Sequence, residues 1–273
     1  MTIACSTSVG TGSSLEDTLA RIASIGIPHI DLLVIDGWKH INSQDLADHF
    51  EETVAPLDAL LAQHRLRPVA LNTGVSPQLH HRTPAINARR QQEIAAVIRL
   101  MQHYDITLAA IQPRQPDRDR PYSEVLADCV ATLREQVTMG HEAGVTFALE
   151  LHVNSPFETL EQARMLLDHM PDLPLVYDPT HFVMQGIDIR DTGWLMDHAV
   201  HVHLRDADRN QMQVPFGSGA VDFDWLLGTL KDRGYSGHFS IEYLETDAFD
   251  VLDSAARLYE AVRARFDERS ASG

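Results

Sequence analysis

Glu150, Asp178, His203 and Glu242 each close a short apolar run, in TFALELH, LPLVYDPTH, AVHVHLRD and HFSIEYLE. Three carboxylates and one imidazole make a ligand set suited to a divalent cation. Gathered in one partly desolvated pocket without a cation, the carboxylates would repel one another; a bound M²⁺ removes that penalty. Mn²⁺ is the first choice of cofactor, with Mg²⁺, Co²⁺ or Zn²⁺ as alternatives, because the donors are mostly oxygen. No thiolate joins the set, which disfavours a structural zinc site.

The elements that would carry these residues recur in order. Strand-type runs fall at 2–9, 29–35, 67–73, 107–113, 146–152, 173–179, 199–206 and 238–244. Helix-period stretches follow them at 14–25, 43–64, 86–104, 121–142, 157–169, 190–197, 223–233 and 248–266. Eight β–α units in 273 residues match an α/β fold built as a single (β/α)₈ TIM barrel spanning residues 1–273. Ser155-Pro156-Phe157-Glu158 reads as a capping box, Ser14 with Asp17 and Asn42 with Asp45 as weaker helix starts, and Gly26, Gly144 and Gly234 as helix ends.

Side chains alternate along a strand, so parity shows which residues share a face. Glu150 and His152 share parity with Ala148, against Leu149 and Leu151. His201 and His203 oppose Val200, Val202 and Leu204, Glu242 and Ser240 oppose Phe239 and Ile241, and Asp178 goes with Val176. With the large apolar residues against the helices, all four candidate ligands point into the barrel. They lie at the C-terminal ends of their strands, the face on which barrel enzymes build their sites. His201, one step deeper, reads as a hydrogen-bonded core residue.

The bulk numbers narrow the class. The net charge of −17, from 39 acidic and 22 basic residues, opposes binding to nucleic acid or anionic membranes. Two cysteines, Cys5 and Cys129, have neither metal-type spacing nor the density of a disulfide framework. No leader-like segment or 18-residue apolar run is present, so a cytoplasmic protein is expected. The expected partner is a small carbohydrate or polyol, and homo-oligomerisation is compatible with the composition.

The strand-end Glu150, the Asp178-Pro179-Thr180-His181 turn, the His201-Val202-His203 strand with Asp206, and the segment PFGSGAVDFDWLLGTLKDRGYSGHFSIEYLE together resemble the sugar phosphate isomerase/epimerase superfamily of xylose-isomerase-like TIM barrels. The resemblance covers essentially the whole chain. Tagatose- and psicose-type 3-epimerases of that superfamily imply one metal held by Glu150, Asp178, His203 and Glu242, with the two glutamates also moving protons. They imply His181 and Arg209 as substrate contacts. The chain departs in the loop after strand 5. Pro156 stands where those epimerases carry a second glutamate, and the stretch from Glu150 to Glu158 is two residues longer, which weighs against free ketohexose epimerisation. Three-zinc apurinic-site endonucleases are also similar, but they need further ligands where this chain has Trp38, Asn72 and Gln112.

The chemistry such residues support is proton transfer next to a carbonyl. A cation polarises the carbonyl, one glutamate removes the C–H proton, and the other returns it, giving an epimer or an isomer. A leaving group in the β position would make the same site a dehydratase of the inosose type, which is the alternative reading. A barrel that only binds a ligand is a lesser one. His152, Trp38, Asn72 and Gln112 are candidate pocket residues, and the Gly217-Ser218-Gly219 turn is a candidate phosphate seat.

Overall fold

In the computed structural model, which describes residues 1–38 and 40–267, eight parallel strands close into a barrel. They are β1 (Ile3–Ser6), β2 (His29–Ile35), β3 (Arg67–Gly74), β4 (Leu108–Ile111), β5 (Thr146–Glu150), β6 (Leu175–Tyr177), β7 (Ala199–Leu204) and β10 (His238–Ile241). β10 pairs with both β7 and β1, which completes the ring. A two-stranded antiparallel hairpin, β8 (Asp206–Asp208) with β9 (Gln211–Val214), stands outside the barrel after β7. The end of the expected 1–273 span, residues 268–273, lies outside the described residues.

The helical layer is α1 (Leu15–Ser24), α2 (Ser43–Asp48), α3 (Phe50–His64), α4 (Pro84–His103), α5 (Tyr122–Glu142), α6 (Leu160–His169), α8 (Phe223–Asp232) and α9 (Val251–Asp267), with a one-turn α7 (Thr180–Val183) after β6. Ser14 caps α1 by accepting from the Asp17 amide, and Gly26, Gly144 and Gly234 take φ of 76°, 75° and 72° where their helices end. Glycine meets no Cβ clash in that left-handed region.

Three local expectations are corrected. The 43–64 helix breaks at His49, whose φ of −143° and ψ of 49° separate α2 from α3. The expected helix at 190–197 is a 3₁₀ segment, Ile189–Asp197. The capping box belongs to Thr159 and Gln162, which exchange side-chain and backbone hydrogen bonds at the start of α6. The Ser155 hydroxyl is already used inside the preceding loop, donating to the His152 carbonyl (2.6 Å) and accepting from the Phe157 amide (3.0 Å).

The core divides as parity requires. Phe147, Leu149, Leu175, Tyr177, Val202, Leu204, Phe239 and Ile241 join the large cluster between strands and helices. Leu108, Ala110, Ala148 and Val176 form a small cluster inside the ring. Val200 also packs there rather than with Val202, because β7 slips register against β6 between Leu175 and Val176. Such a bulge places two residues opposite one and reverses the facing of the extra residue.

Both cysteines are buried and free. Burial, with a smaller contribution from Asp31 at Cys5 and from Asp128 at Cys129, pushes each thiol up to about 12. Because the thiolate is the nucleophile, neither is expected to react with Ellman's reagent in native protein at pH 8, and two are expected to react after unfolding. Rapid labelling of the native chain would contradict the burial of these sites.

Candidate metal centre and active site

Ligand atoms of Glu150, Asp178, His203 and Glu242 lie within 4.8 Å of one another, and all four residues are buried. The barrel brings them together from β5, β6, β7 and β10 although up to 92 positions separate them in sequence (150 to 242). His203 is the hub: its Nδ1 lies 2.9 Å from Glu150 Oε1 and 3.2 Å from Glu242 Oε2. Burial alone would lower the His203 pKa, but the charges of Glu242 and Glu150 raise it well above the ordinary imidazole value. Burial likewise opposes ionisation of Glu150, yet the His203 charge and the nearby His181 ring hold its carboxyl well below the usual range.

The outer oxygen of each glutamate is held by an amide. Asn72 Nδ2 donates to Glu242 Oε1 at 2.6 Å, Gln112 Nε2 donates to Glu150 Oε2, and Gln112 Nε2 also reaches Asn72 Oδ1 at 3.2 Å. An amide N–H only donates, so both contacts fix a carboxylate oxygen in place as an acceptor. Asn72 and Gln112 sit in register with the inner cluster, through Asn72 opposite Ala110 on the neighbouring strand and Gln112 just beyond. They line the cavity and also hold the two glutamates in place.

Arg205, which sequence reading left without a role here, enters the same cluster. It is two residues beyond His203, so the parity that turns His203 inward carries it along. Its Nη2 donates to Asp178 Oδ2 at 2.8 Å, its Nη1 lies 3.4 Å from Glu242 Oε2 and donates to the Glu242 carbonyl at 2.9 Å, and its Nε donates to Thr180 Oγ1 at 3.2 Å. Burial disfavours ionised Asp178, but the Arg205 charge, together with the nearby His181 ring and the Thr180 hydroxyl, lowers its pKa. The Thr180 amide and hydroxyl bind the other Asp178 oxygen.

Asp31 was also missed. It is the single carboxylate in the apolar β2 run HIDLLVI, fully buried, with Oδ2 3.1 Å from His201 Nε2 and 3.5 Å from His203 Nε2. Burial works against its charge, but the two imidazoles lower its pKa decisively. His201 is a core residue bonded to Asp31 and, through Nδ1, to the His238 carbonyl at 3.0 Å. Asp31 also faces the side of His203 away from the glutamates, a position that orients an imidazole toward a ligand.

His181 and His152 pack against each other beside the cluster, with ring centroids 3.9 Å apart and the rings tilted by 46°. His181 Nε2 is 3.4 Å from Asp178 Oδ2 and 3.6 Å from Glu150 Oε1, and both of its ring nitrogens are buried without a hydrogen-bond partner. Burial, then the neighbouring His181, lowers His152 to about 4, so it is neutral at neutral pH. Trp38 is exposed at the cavity rim. The cavity is about 490 Å³, within the range of small-molecule sites.

Two expectations do not survive. Arg209 is carried away from the cavity by the β8–β9 hairpin, lies over Gly186, and lines a separate surface groove with Asp188, Arg190 and Asp222. The Gly217-Ser218-Gly219 turn is filled by the chain's own carboxylate: Asp206 accepts from the Gly217 amide at 2.8 Å, the Gly219 amide at 3.0 Å and the Ala207 amide at 3.0 Å. An incoming phosphate finds those donors taken.

A donor set of three carboxylate oxygens and one imidazole nitrogen, with an unpartnered buried histidine beside it, fits a divalent cation. The same strand-end arrangement can be compared with known proteins, and residues 19–265 match the family described as the xylose isomerase-like TIM barrel. The chain belongs to that family. The putative L-ribulose-5-phosphate 3-epimerase UlaE of Shigella dysenteriae is 33% identical to this xylose isomerase-like barrel over 139 residues. That match covers 49% of this chain and 48% of the relative, so the chain spans about half the length of the curated relatives it matches. D-psicose 3-epimerase of Clostridium cellulolyticum, solved with D-tagatose, superposes with a TM-score of 0.74 at 14% identity, covering 97% of this chain and 99% of that one. A zinc-bound structure of the IOLI protein gives 0.72 at 20% identity, covering 97% and 99%. At these identities the two structures bear on the fold of this xylose isomerase-like barrel. No described helix is long and apolar enough to cross a membrane.

Proposed function

We propose that this chain is a divalent-metal-dependent isomerase or epimerase of a sugar or polyol ketone, acting as one barrel domain in the cytoplasm. The observation that carries the proposal is the pairing of Glu150 and Glu242 around His203, each with its outer oxygen fixed by an amide. Glu150, Asp178, His203 and Glu242 would hold the cation, Mn²⁺ being the first choice. When bound, it would supply Lewis-acid polarisation of the substrate carbonyl.

The remaining chemistry belongs to the side chains. Glu150, kept ionised, is suited to accept the proton from the carbon beside the carbonyl, and Glu242, which meets the same His203 nitrogen from the end of β10, is suited to return one. Return to the same carbon gives the epimer; return to the adjacent one gives the isomer. His181, with two unpartnered ring nitrogens, is placed to bind a substrate oxygen, and neutral His152 packs against it. The Arg205 guanidinium balances part of the carboxylate charge. The L-ribulose-5-phosphate epimerase relative supports a ketose substrate.

The test is NMR in D₂O with Mn²⁺-loaded protein and a ketose panel that includes L-ribulose 5-phosphate and D-tagatose. Deuterium incorporation at the carbon beside the carbonyl, with no loss of material, is the expected result. A dehydrated product would replace this reading with the lyase one. No exchange across the panel, or failure to bind stoichiometric Mn²⁺, would overturn it.

A further inference from the structure

Among the described residues, the proposed chemistry leaves one cationic side chain of the cavity unused. Arg205 is neutralised by Asp178 and Glu242, and His152 is neutral. Arg114, in the loop after β4, also lines the cavity. Its Nη1 donates to the Asp36 carbonyl at 3.2 Å, and no carboxylate pairs with it among the described residues. A guanidinium has five N–H donors, so a single carbonyl leaves most of them for a ligand.

The backbone holds Arg114 there at a cost. Its φ is 64°, in the left-handed region that a side chain as large as arginine seldom adopts. The next residue ties the loop down: the Gln115 amide donates to Gln78 Oε1 at 2.9 Å, joining the loops after β4 and β3. Arg114 thus lines the cavity together with Gln112, from which the chain runs on through Pro113. The glycine turn that sequence suggested for a phosphate is filled by Asp206, and Arg209, expected as a substrate contact, lies in another groove.

We propose that Arg114 seats a terminal anionic group, phosphate or carboxylate, at the far end of the substrate from the proton-transfer centre. This rests on the sugar-ketone reading and narrows it to acidic or phosphorylated sugars. A planar guanidinium with parallel N–H groups matches either anion in a two-point contact, which an ammonium does not. The site also answers an electrostatic need: three of the four proposed metal ligands are carboxylates, and an anionic substrate needs a fixed cation where its charge comes to rest.

Polyols have no carbonyl and do not turn over, so they test the seat apart from the reaction. Calorimetric titration of the metal-loaded protein would compare sorbitol 6-phosphate, gluconate and sorbitol. At least one of the two anions is expected to bind about tenfold or more tighter than sorbitol, and which one does so distinguishes a phosphate seat from a carboxylate seat. Arg114→Gln should abolish that advantage with an unchanged melting temperature, and Arg114→Lys should restore part of it. Two results overturn the proposal: no advantage of either anion in the wild type, including no binding at all, or an advantage that persists in Arg114→Gln because the anion sits on the metal. A silent ketose panel would count against the reaction and leave this binding result standing.

Discussion

Glu150→Gln and Glu242→Gln are each expected to lower kcat by roughly 10²–10⁴-fold, the range that a positioned general acid or base contributes. Both substitutions keep the shape of the side chain, and both glutamates are buried beside His203, so the fold should persist. The measurement is made at saturating Mn²⁺, because each residue is also a proposed ligand. A further outcome separates proton transfer from metal binding. With one base removed, the other can still exchange the proton of one epimer with solvent, so turnover should be lost while deuterium enters one epimer only. If exchange and turnover vanish together at limiting Mn²⁺ and saturating Mn²⁺ restores both, the glutamate is a ligand alone. Activity close to wild type in either variant would remove it from the proton-transfer scheme.

Arg205→Met is expected to destabilise the metal-free protein by about 3–5 kcal/mol, the usual consequence of removing one partner from a buried ion pair. The guanidinium is 3% exposed and faces Asp178 and Glu242, which the substitution would leave buried without their cation. Saturating Mn²⁺ should recover part of the loss, because a divalent ion neutralises the same carboxylates. The bonds from Arg205 to the Glu242 carbonyl and to Thr180 are not replaced, so recovery is incomplete. Denaturant unfolding with and without Mn²⁺ measures both quantities. An equal loss in the two conditions would mean that Arg205 acts through those two bonds and not as a counter-charge.

Much of this architecture was legible because a β/α repeat writes itself locally. Each strand run shows its facing by parity, three helices show their ends by Gly26, Gly144 and Gly234, and barrel closure then follows from the number of units. Parity also turned Glu150, Asp178, His203 and Glu242 to one side. It failed at Val200, where a register slip between β6 and β7 has no signature in either strand alone. The capping box was misplaced for a related reason: Ser155 has the right type and spacing, but the loop uses its hydroxyl before the helix can.

Asp31 and Arg205 could have been found by the same rule. Asp31 is a lone carboxylate in an apolar strand, and Arg205 repeats the parity of His203. What concealed them was that a charged residue at such a place reads as solvated until its partners are known. Arg209 shows the converse. Its spacing from His203 matched a substrate contact, but the hairpin after β7 turns it outward.

By itself the sequence determined the fold class, the strand-end positions of the four chemistry-bearing residues and their shared facing, because these depend on periodicity and on residue type. Tertiary structure alone decided which other charges meet them. Asp206 reaches the glycine turn because the β8–β9 hairpin folds back on its own loop. Arg205 spans Asp178 and Glu242, Asp31 stands behind His203, and Arg114 lines the cavity, because closing the barrel joins strands distant in sequence. Burial then makes each of those encounters strong, since charges removed from water must be answered by the groups that the closed ring puts beside them.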